Sequence, residues 1–569
     1  MSDDYGYSVI VKKEASIFVK LFWLFILCLL VICFVFYVIQ DYRKYNVIPE
    51  ITISTEYIRS DDIPYPAVTI CSPLLIKNEF MNISKYFTNS RGVRISSTDR
   101  GYLTASVHAC FDRTGGILQP DLNFDDFDQR TPEILDATSP TIREMFYDCS
   151  IEGAENCTEL FTRPMTDDGY CFTFNMLGYH SIFNGNVSKY FDSYKRKWIP
   201  KTWKFDENRR DRQFHDDENN PEPPLWTLQD GYLTNESSTQ PLRAKRAKLN
   251  LLTAMKDVDI PNLCEARRHG YKVILHLPNE IPTIFHSETY FQLKSLKSMA
   301  ISAEIIKYDD SLRRLSPEQR GCFFDDERQL KFFKSYTQRN CEYECMANYT
   351  LRTCGCVKFS MPRDTTTKVC GDMDIYCYHG LITEWPDIIR TTQNELEGEE
   401  TYKFPCNCIQ SCTQLNYKVI SERSFEMNEQ NAGYLMHLGS LMSSNGGINE
   451  TLSFLEISFK DFQILQTTHF TAYEIQNFIS DIGGLLGLFL GVSLISVFEV
   501  ISKIIKLMKE KYRKDETEVE VINPHGIEAH QPDKLTINSY LRSFQLSSTN
   551  ARKVNDMDRR LFGATCAYR

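Results

Sequence analysis

The stretch Asp481–Glu499, reading DIGGLLGLFLGVSLISVFE, limits what this chain can become more than any other. It is uncharged from Ile482 through Phe498 and carries Gly483, Gly484, Gly487 and Gly491. A glycine costs a helix about 1 kcal/mol relative to alanine. A segment that only had to sit in lipid is therefore better built from leucine. Small residues four apart, such as Gly487 and Gly491, let backbones approach closely inside a membrane. They also let a helix break and turn its carbonyls toward a water-filled path. Asp481 and Glu499 bracket the segment, and an acid at membrane depth is costly and marks an ion route by default. The expectation is a segment that lines a cation pore. The plain alternative is a tail anchor with incidental glycines, which membrane helices commonly contain.

A second apolar run, Leu21–Ile39, is nineteen residues long and uncharged, with Trp23 and Tyr37 near its ends. Its length is close to the ~20 residues that cross a bilayer as a helix. A cleaved signal peptide is disfavoured, because Gln40-Asp41-Tyr42-Arg43 follows where a small-residue cleavage site would be needed. After the glycine-rich segment come Lys503, Lys506, Lys509, Lys511, Arg513 and Lys514, a basic cluster that argues for a cytoplasmic C-terminus. Two spans then put both termini in the cytoplasm and the intervening chain outside. Sixteen of the nineteen cysteines lie between residues 71 and 412, as expected for disulfides in an oxidising compartment. Sequons at Asn82, Asn156, Asn186, Asn235, Asn348 and Asn449 fall in the same region. A net charge of −11 argues against a nucleic-acid partner.

Between the spans, Ile63–Cys71 (IPYPAVTIC), Gly270–Leu277 and Leu452–Phe462 alternate as strands. Residues 205–224 read as a mobile charged loop, and residues 515–569 as a polar tail. Arg243-Ala244-Lys245-Arg246 has the spacing of a proprotein-convertase site, with a basic strand face as the plainer reading. His276 is expected to be structural. Asp326–Thr350 has helical spacing, and places Cys341 and Cys345 one turn apart, a rise of ~6 Å. Cys406 and Cys408, two apart on an extended segment, span ~6.6 Å. A helix face and a strand face joined by two rungs would fit. Cys354, Cys356, Cys370 and Cys377 suggest a second ladder. Zinc is the competing reading, disfavoured outside the cell.

Taken in this order, the pieces resemble the epithelial sodium channel/degenerin family, and within it the arthropod pickpocket branch. The resemblance covers most of residues 5–503. Its strongest parts are Pro66–Cys71, Gly169–Asn175, Cys341-Glu-Tyr-Glu-Cys345 with Cys354-Gly-Cys356 and Met361-Pro362-Arg363, and Gly491-Val492-Ser493. It implies a membrane α plus extracellular α/β fold. Two transmembrane helices would flank a hand-shaped, disulfide-rich ectodomain with a central β-sheet, assembled as a trimeric channel. The implied divisions are a cytoplasmic N-terminus (1–16), helix 1 (17–40), the cysteine-rich domain (41–472), helix 2 with the pore (473–503) and a cytoplasmic tail (504–569). The selectivity filter carries over to Gly491, Val492 and Ser493, the gate to Ser480 beside Asp481, and the acid below the filter to Glu499. Family pairing joins Cys71–Cys171, Cys149–Cys157, Cys322–Cys412, Cys341–Cys408, Cys345–Cys406, Cys354–Cys377 and Cys356–Cys370, and leaves Cys110 and Cys264 to each other.

There are departures from the family pattern. The His-Gly pair before the first span reads Tyr5-Gly6, so high open probability is not assumed. The tryptophan that the acid-sensing branch carries shortly before Cys322 is missing from Ser316–Gly321. No Pro-Pro-X-Tyr stands in the tail. The resemblance implies an amiloride-sensitive, Na⁺-selective channel of the plasma membrane with no cofactor or metal. It would work as a homo- or heterotrimer in lipid, gated by an unidentified extracellular ligand or tether. No Arg-rich helix suggests voltage gating. An ectoenzyme would need a phosphate-cradling Gly-rich loop, which is missing. A non-conducting subunit of a heteromer and a pore-less receptor stay open.

Overall fold

The computed structural model describes residues 16–46, 51–82, 96–114, 130–151, 157–185, 187, 226–232, 240–244, 247–262, 270–371, 374–394, 406–427, 450–491 and 501–509. The chain divides into two compact units, residues 1–38 with 480–569, and residues 39–479. The charged 205–224 stretch and the tail beyond 514 lie outside the described residues.

The first helix runs Ile17–Asn46, six residues beyond the expected end at 40. Gln40–Asn46 contains no glycine or proline to stop it, and Arg43 and Lys44 in the last turn suit the negative end of the helix dipole. Among the described residues it is the one helix long and apolar enough to cross a membrane.

Among the described residues the larger unit has sixteen strands: β1 (Ile51–Arg59), β2 (Ala67–Cys71), β3 (Phe146–Ser150), β4 (Phe161–Thr162), β5 (Met165–Thr166), β6 (Gly169–Tyr170), β7 (Phe172–Phe174), β8 (Lys248–Lys256), β9 (Gly270–His276), β10 (Glu288–Gln292), β11 (Ser295–Tyr308), β12 (Cys322–Phe323), β13 (Gln410–Ser411), β14 (Thr413–Glu426), β15 (Glu450–Phe459) and β16 (Gln463–Thr471). A seven-stranded sheet runs β1-β16-β11-β15-β8-β3, with β14 on the other edge of β11; a five-stranded sheet runs β10-β9-β2-β7-β4. Strand β11 is the spine of the large sheet. One edge pairs antiparallel with β14; the other pairs in parallel with β15 and then with β16. Its burial alternates along SLKSMAISAEIIKY, as that of a strand with one covered face must.

Val68, Ile70, Phe172 and Phe174 of the smaller sheet pack with Leu249, Met299, Ile301 and Ile457 of the larger. Tyr65 is fully buried and donates from its hydroxyl to the Ile457 carbonyl at 3.1 Å. Asn175 holds the same loop from the other side. Its φ of 59° is a left-handed value that asparagine tolerates better than most residues. Its amide donates to the Tyr65 carbonyl at 2.6 Å and accepts from Leu242 N at 2.7 Å.

A second core gathers Leu103, Leu135, Phe183, Phe333, Met346 and Phe359 around the helix Gln338–Cys354. That helix begins twelve residues later than the spacing from Asp326 suggests. Thr337 caps it, accepting from Asn340 N at 3.1 Å. Ahead of it Phe333 forms a β-bridge with Phe183, and the Glu344 carboxylate accepts from the Lys331 and Phe332 amides at 3.0 and 2.8 Å. The apolar spacing of 326–337 is thus the packing of a folded loop.

Cys341 and Cys345, on one helix face, bridge to Cys408 and Cys406 with Cα separations of 5.7 and 5.9 Å. Cys354–Cys377 and Cys356–Cys370 follow, with Cys322–Cys412, Cys71–Cys171 and Cys149–Cys157 elsewhere. Cys110 is also disulfide-bonded, and Cys264 lies outside the described residues. Cys356 and Cys370 approach Asp374 closely, yet as disulfide sulfurs they offer no thiolate to a metal. The Cys322–Cys412 bridge closes 90 residues, and a native disulfide is worth about 2–5 kcal/mol. Cys322→Ser with Cys412→Ser is expected to cut surface protein severalfold. Surface biotinylation measures it, and an unchanged surface fraction would refute the structural role.

Candidate functional site

The second apolar helix runs Ile475–Leu490. Positions 480, 484, 487 and 491 recur at helical spacing along one side, and 478, 482, 485 and 489 along the opposite side. The second set, all apolar, is half-buried. Phe489 stacks on Tyr37 with ring centroids 5.8 Å apart, and Phe478 stacks on Tyr45 at 5.2 Å. The first helix thus covers the bulky side. Ser480, Gly484, Gly487 and Gly491 are left as an exposed stripe, with no atom within 4 Å of where a Cβ on any of the three glycines would sit.

The helix stops where that stripe ends. Gly491 donates its N–H to the Gly487 carbonyl at 3.1 Å and then takes φ +63°. This is the left-handed turn that ends helices and that glycine adopts without a Cβ penalty. Helix is found again at 501–509, with Lys503, Lys506 and Lys509 exposed on it. Gly491 is the first of the three residues to which the family resemblance carries the filter, and the helix ends there. Ser480 and Asp481 are exposed within the helix. Val492, Ser493, Glu499, Tyr5 and Gly6 lie outside the described residues.

Sequence reasoning missed Arg314. Its guanidinium lies 4.1 Å over the Tyr45 ring, at the end of the first helix, and donates to the Tyr473 carbonyl at 2.9 Å, two residues before the second. Arg314 ends a short turn, Asp310–Arg314, that follows β11 directly. Tyr308, the last residue of β11, stacks on His469 of β16 at 4.5 Å, nearly coplanar. Its amide donates to the Cys412 carbonyl at 2.8 Å, and the Asp309 amide donates to the His469 carbonyl at 2.9 Å. Burial lowers the His469 pKa, which favours the uncharged ring in this stack. A cation–π contact with Tyr45 and a hydrogen bond to the Tyr473 carbonyl thus tie the Asp310–Arg314 turn to the end of the first helix and to the segment just before the second. Together they are worth about 1–3 kcal/mol.

The remaining predicted positions divide. Arg243 forms a β-bridge with Pro64 and stacks on Tyr232 at 3.9 Å. Ala244 is fully buried, and its amide donates to the Ile63 carbonyl at 2.8 Å. A protease would have to open this bridge; Lys245 and Arg246 lie outside the described residues. Asn348 is half-buried in the Gln338–Cys354 helix, and its sequon partner Thr350 is fully buried, donating to the Met346 carbonyl at 2.8 Å. Asn82 is described and half-buried, whereas Asn156, Asn186, Asn235 and Asn449 are not described. His276 is buried between Thr69 Oγ1 at 2.8 Å and the Leu277 carbonyl at 2.9 Å.

Among the described residues the chain thus carries one helix long and apolar enough to cross a membrane, a shorter apolar helix that ends at Gly491, and a disulfide-rich β domain. The family model described as amiloride-sensitive sodium channel matches residues 5–502, and the chain belongs to that family. Among its relatives, Pickpocket protein 28 of Drosophila melanogaster is 26% identical over 87% of this chain and 75% of its own length. Sodium channel protein Nach of the same species is 21% identical, covering 88% and 85%. Acid-sensing ion channel 1C of Danio rerio is 23% identical, covering 81% and 74%.

Proposed function

We propose that the chain is a pore-forming subunit of a trimeric, amiloride-sensitive, Na⁺-selective channel that an extracellular chemical or mechanical stimulus opens. Both termini lie in the cytoplasm of a plasma-membrane protein, and the second helix forms the second span. The observation that carries this reading is the break at Gly491 at the end of an exposed small-residue stripe. Around a three-fold axis, three such breaks bring backbone carbonyls and the Ser493 hydroxyls into one narrow ring, where they replace part of an ion's hydration shell. The Glu499 carboxylates concentrate cations below it. The β11–Arg314 route passes movement of the large sheet to both helices.

The test is whole-cell current in cells expressing this chain alone, with amiloride and with external Na⁺ replaced by a large organic cation. An inward current that amiloride blocks and the replacement abolishes supports the reading. A current that survives both refutes it. No current despite surface protein would make the chain an obligate subunit of a heteromer or a pore-less receptor.

A further inference from the structure

The turn Asp167–Asp168 joins β5 to β6, in whose ladder Met165 pairs with Tyr170 and Thr166 with Gly169. Gly169 takes φ +90°. Thr166 Oγ1 donates to its carbonyl at 2.9 Å and accepts from Asp168 N at 3.2 Å. The chain passes here from one core to the other. Met165 and Tyr170 pack in the core around the Gln338–Cys354 helix, and Phe172 and Phe174 in the core between the sheets. Two acids side by side repel, and a charge taken out of water is kept only where it is paired. The structure gives each acid its own lysine. Asp168 pairs with Lys272 Nζ at 2.9 Å and Asp167 with Lys358 Nζ at 3.2 Å, and none of the four side chains is more than 13% exposed.

The two lysines belong to different parts of the unit. Lys272 lies within β9, opposite Cys71 of β2 and Tyr290 of β10. Burial would lower its pKa, but Asp168 and Glu288 outweigh it and hold the ammonium above its ordinary value. Cys71 in turn bridges to Cys171, the residue after β6. The turn is therefore tied to the five-stranded sheet covalently as well as by charge. Lys358 comes from the loop after the Gln338–Cys354 helix, which the Cys356–Cys370 disulfide and a β-bridge between Val357 and Val369 hold in place. Ser360 of that loop donates to Asp167 Oδ1 at 2.6 Å. Tyr343 of the helix lies near the same carboxylate: burial first, and then the Asp167 charge, push its phenol well above the ordinary range. Met165–Tyr170 contains no cysteine, so on this side the hold is packing and the Asp167 pair.

We propose that the Asp167–Asp168 turn is a latch between the five-stranded sheet and the core around the Gln338–Cys354 helix. Its Asp168 side stays with the sheet, and the Asp167–Lys358 pair is the contact that opens when the helical core moves. A parted pair leaves two charges that must be rehydrated, whereas a seated pair is dry and further held by Ser360. Intermediate separations gain neither water nor partner, so the contact has two states, closed and open. The latch stands on these contacts alone; that its opening changes current rests on the channel reading.

The test is hydrogen exchange, read by mass spectrometry on the full chain in lipid nanodiscs, for Lys358→Met and for Lys358→Met combined with Asp167→Asn. The single variant leaves the Asp167 carboxylate without its cation. Exchange across Gln338–Cys354 is expected to rise at least about tenfold, with β9 within about twofold of wild type. The double variant removes both charges, while the amide oxygen of the asparagine can still accept from Ser360. It is expected to bring exchange in the helix back to within about threefold of wild type. Should Lys358→Met fail to fold by size exclusion, folding of the double variant decides the matter in the same sense. Unchanged helix exchange in Lys358→Met, an equal rise in β9, or a double variant no better than the single would each overturn the proposal. Latch behaviour in a chain that carries no current would support it while removing the channel reading. Amiloride-blocked current from a chain whose exchange ignores Lys358→Met would do the reverse.

Discussion

Cells expressing the Ser480→Trp chain are expected to carry a resting amiloride-blocked Na⁺ current at least about tenfold above wild type, with surface protein unchanged. Ser480 begins the exposed stripe that continues through Gly484, Gly487 and Gly491, and the opposite side of the helix is already covered through Phe478 and Phe489. If the stripes of three subunits face one another, the closed state is where they come nearest. Overpacking costs typically 1–3 kcal/mol per site, so three indoles put about 3–9 kcal/mol against closure. Reversing an equilibrium from 1:99 to 99:1 takes about 5.5 kcal/mol, so the effect is large enough to dominate gating. Ile479→Trp is the control. It lies one position away and off the stripe, at a side chain already 64% exposed, and should leave resting current near wild type. Equal effects from both substitutions, or none from Ser480→Trp, would detach the stripe from the gate.

What the sequence disclosed and what it hid divide along one physical line. That the second helix can break was legible because it is a backbone requirement carried by residue type: glycine takes a left-handed φ freely, as Gly491 does at +63°, whereas the choice of Gly491 among the four glycines came from the family resemblance and not from residue type. The rungs from Cys341 and Cys345 were legible because a helix rises in four residues about as far as an extended segment does in two, and the two cysteines do bridge to Cys408 and Cys406. Strands β2, β9 and β15 announced themselves by alternation. The spine β11 was passed over because its covered face includes Ser295 and Lys297. Lys297 is accommodated there by hydrogen bonds to Thr289 Oγ1 and the Tyr290 carbonyl and an ion pair with Glu422, none of which a hydropathy pattern contains. Arg314 was hidden for a related reason. Its partners Tyr45 and Tyr473 stand 269 residues before it and 159 after it, and no local period marks such a contact.

Gly491→Ala is expected to reach the surface as well as wild type and to lose ion discrimination, with the Na⁺/K⁺ permeability ratio falling toward one or the current falling about tenfold. A Cβ at this position meets no atom within 4 Å, so the substitution does not disturb packing within the subunit. Its cost is conformational, about 1–2 kcal/mol for an L side chain held at left-handed φ, and it recurs in each subunit of a ring. The chain's cheapest relief is to continue as helix past 491 toward the helical 501–509 segment, which folds the carbonyls of the break back into helical hydrogen bonds and away from the ion path. Gly487→Ala separates this from a general effect of bulk. Gly487 lies inside the helix without a positive φ, so alanine there stabilises the helix by about 1 kcal/mol and should leave the permeability ratio unchanged. Bi-ionic reversal potentials measured on both variants decide the matter. Loss of discrimination in Gly491→Ala alone ties selectivity to the backbone break. A wild-type ratio in a conducting Gly491→Ala channel would show that the filter lies elsewhere, and would leave Gly491 as the end of a helix and nothing more.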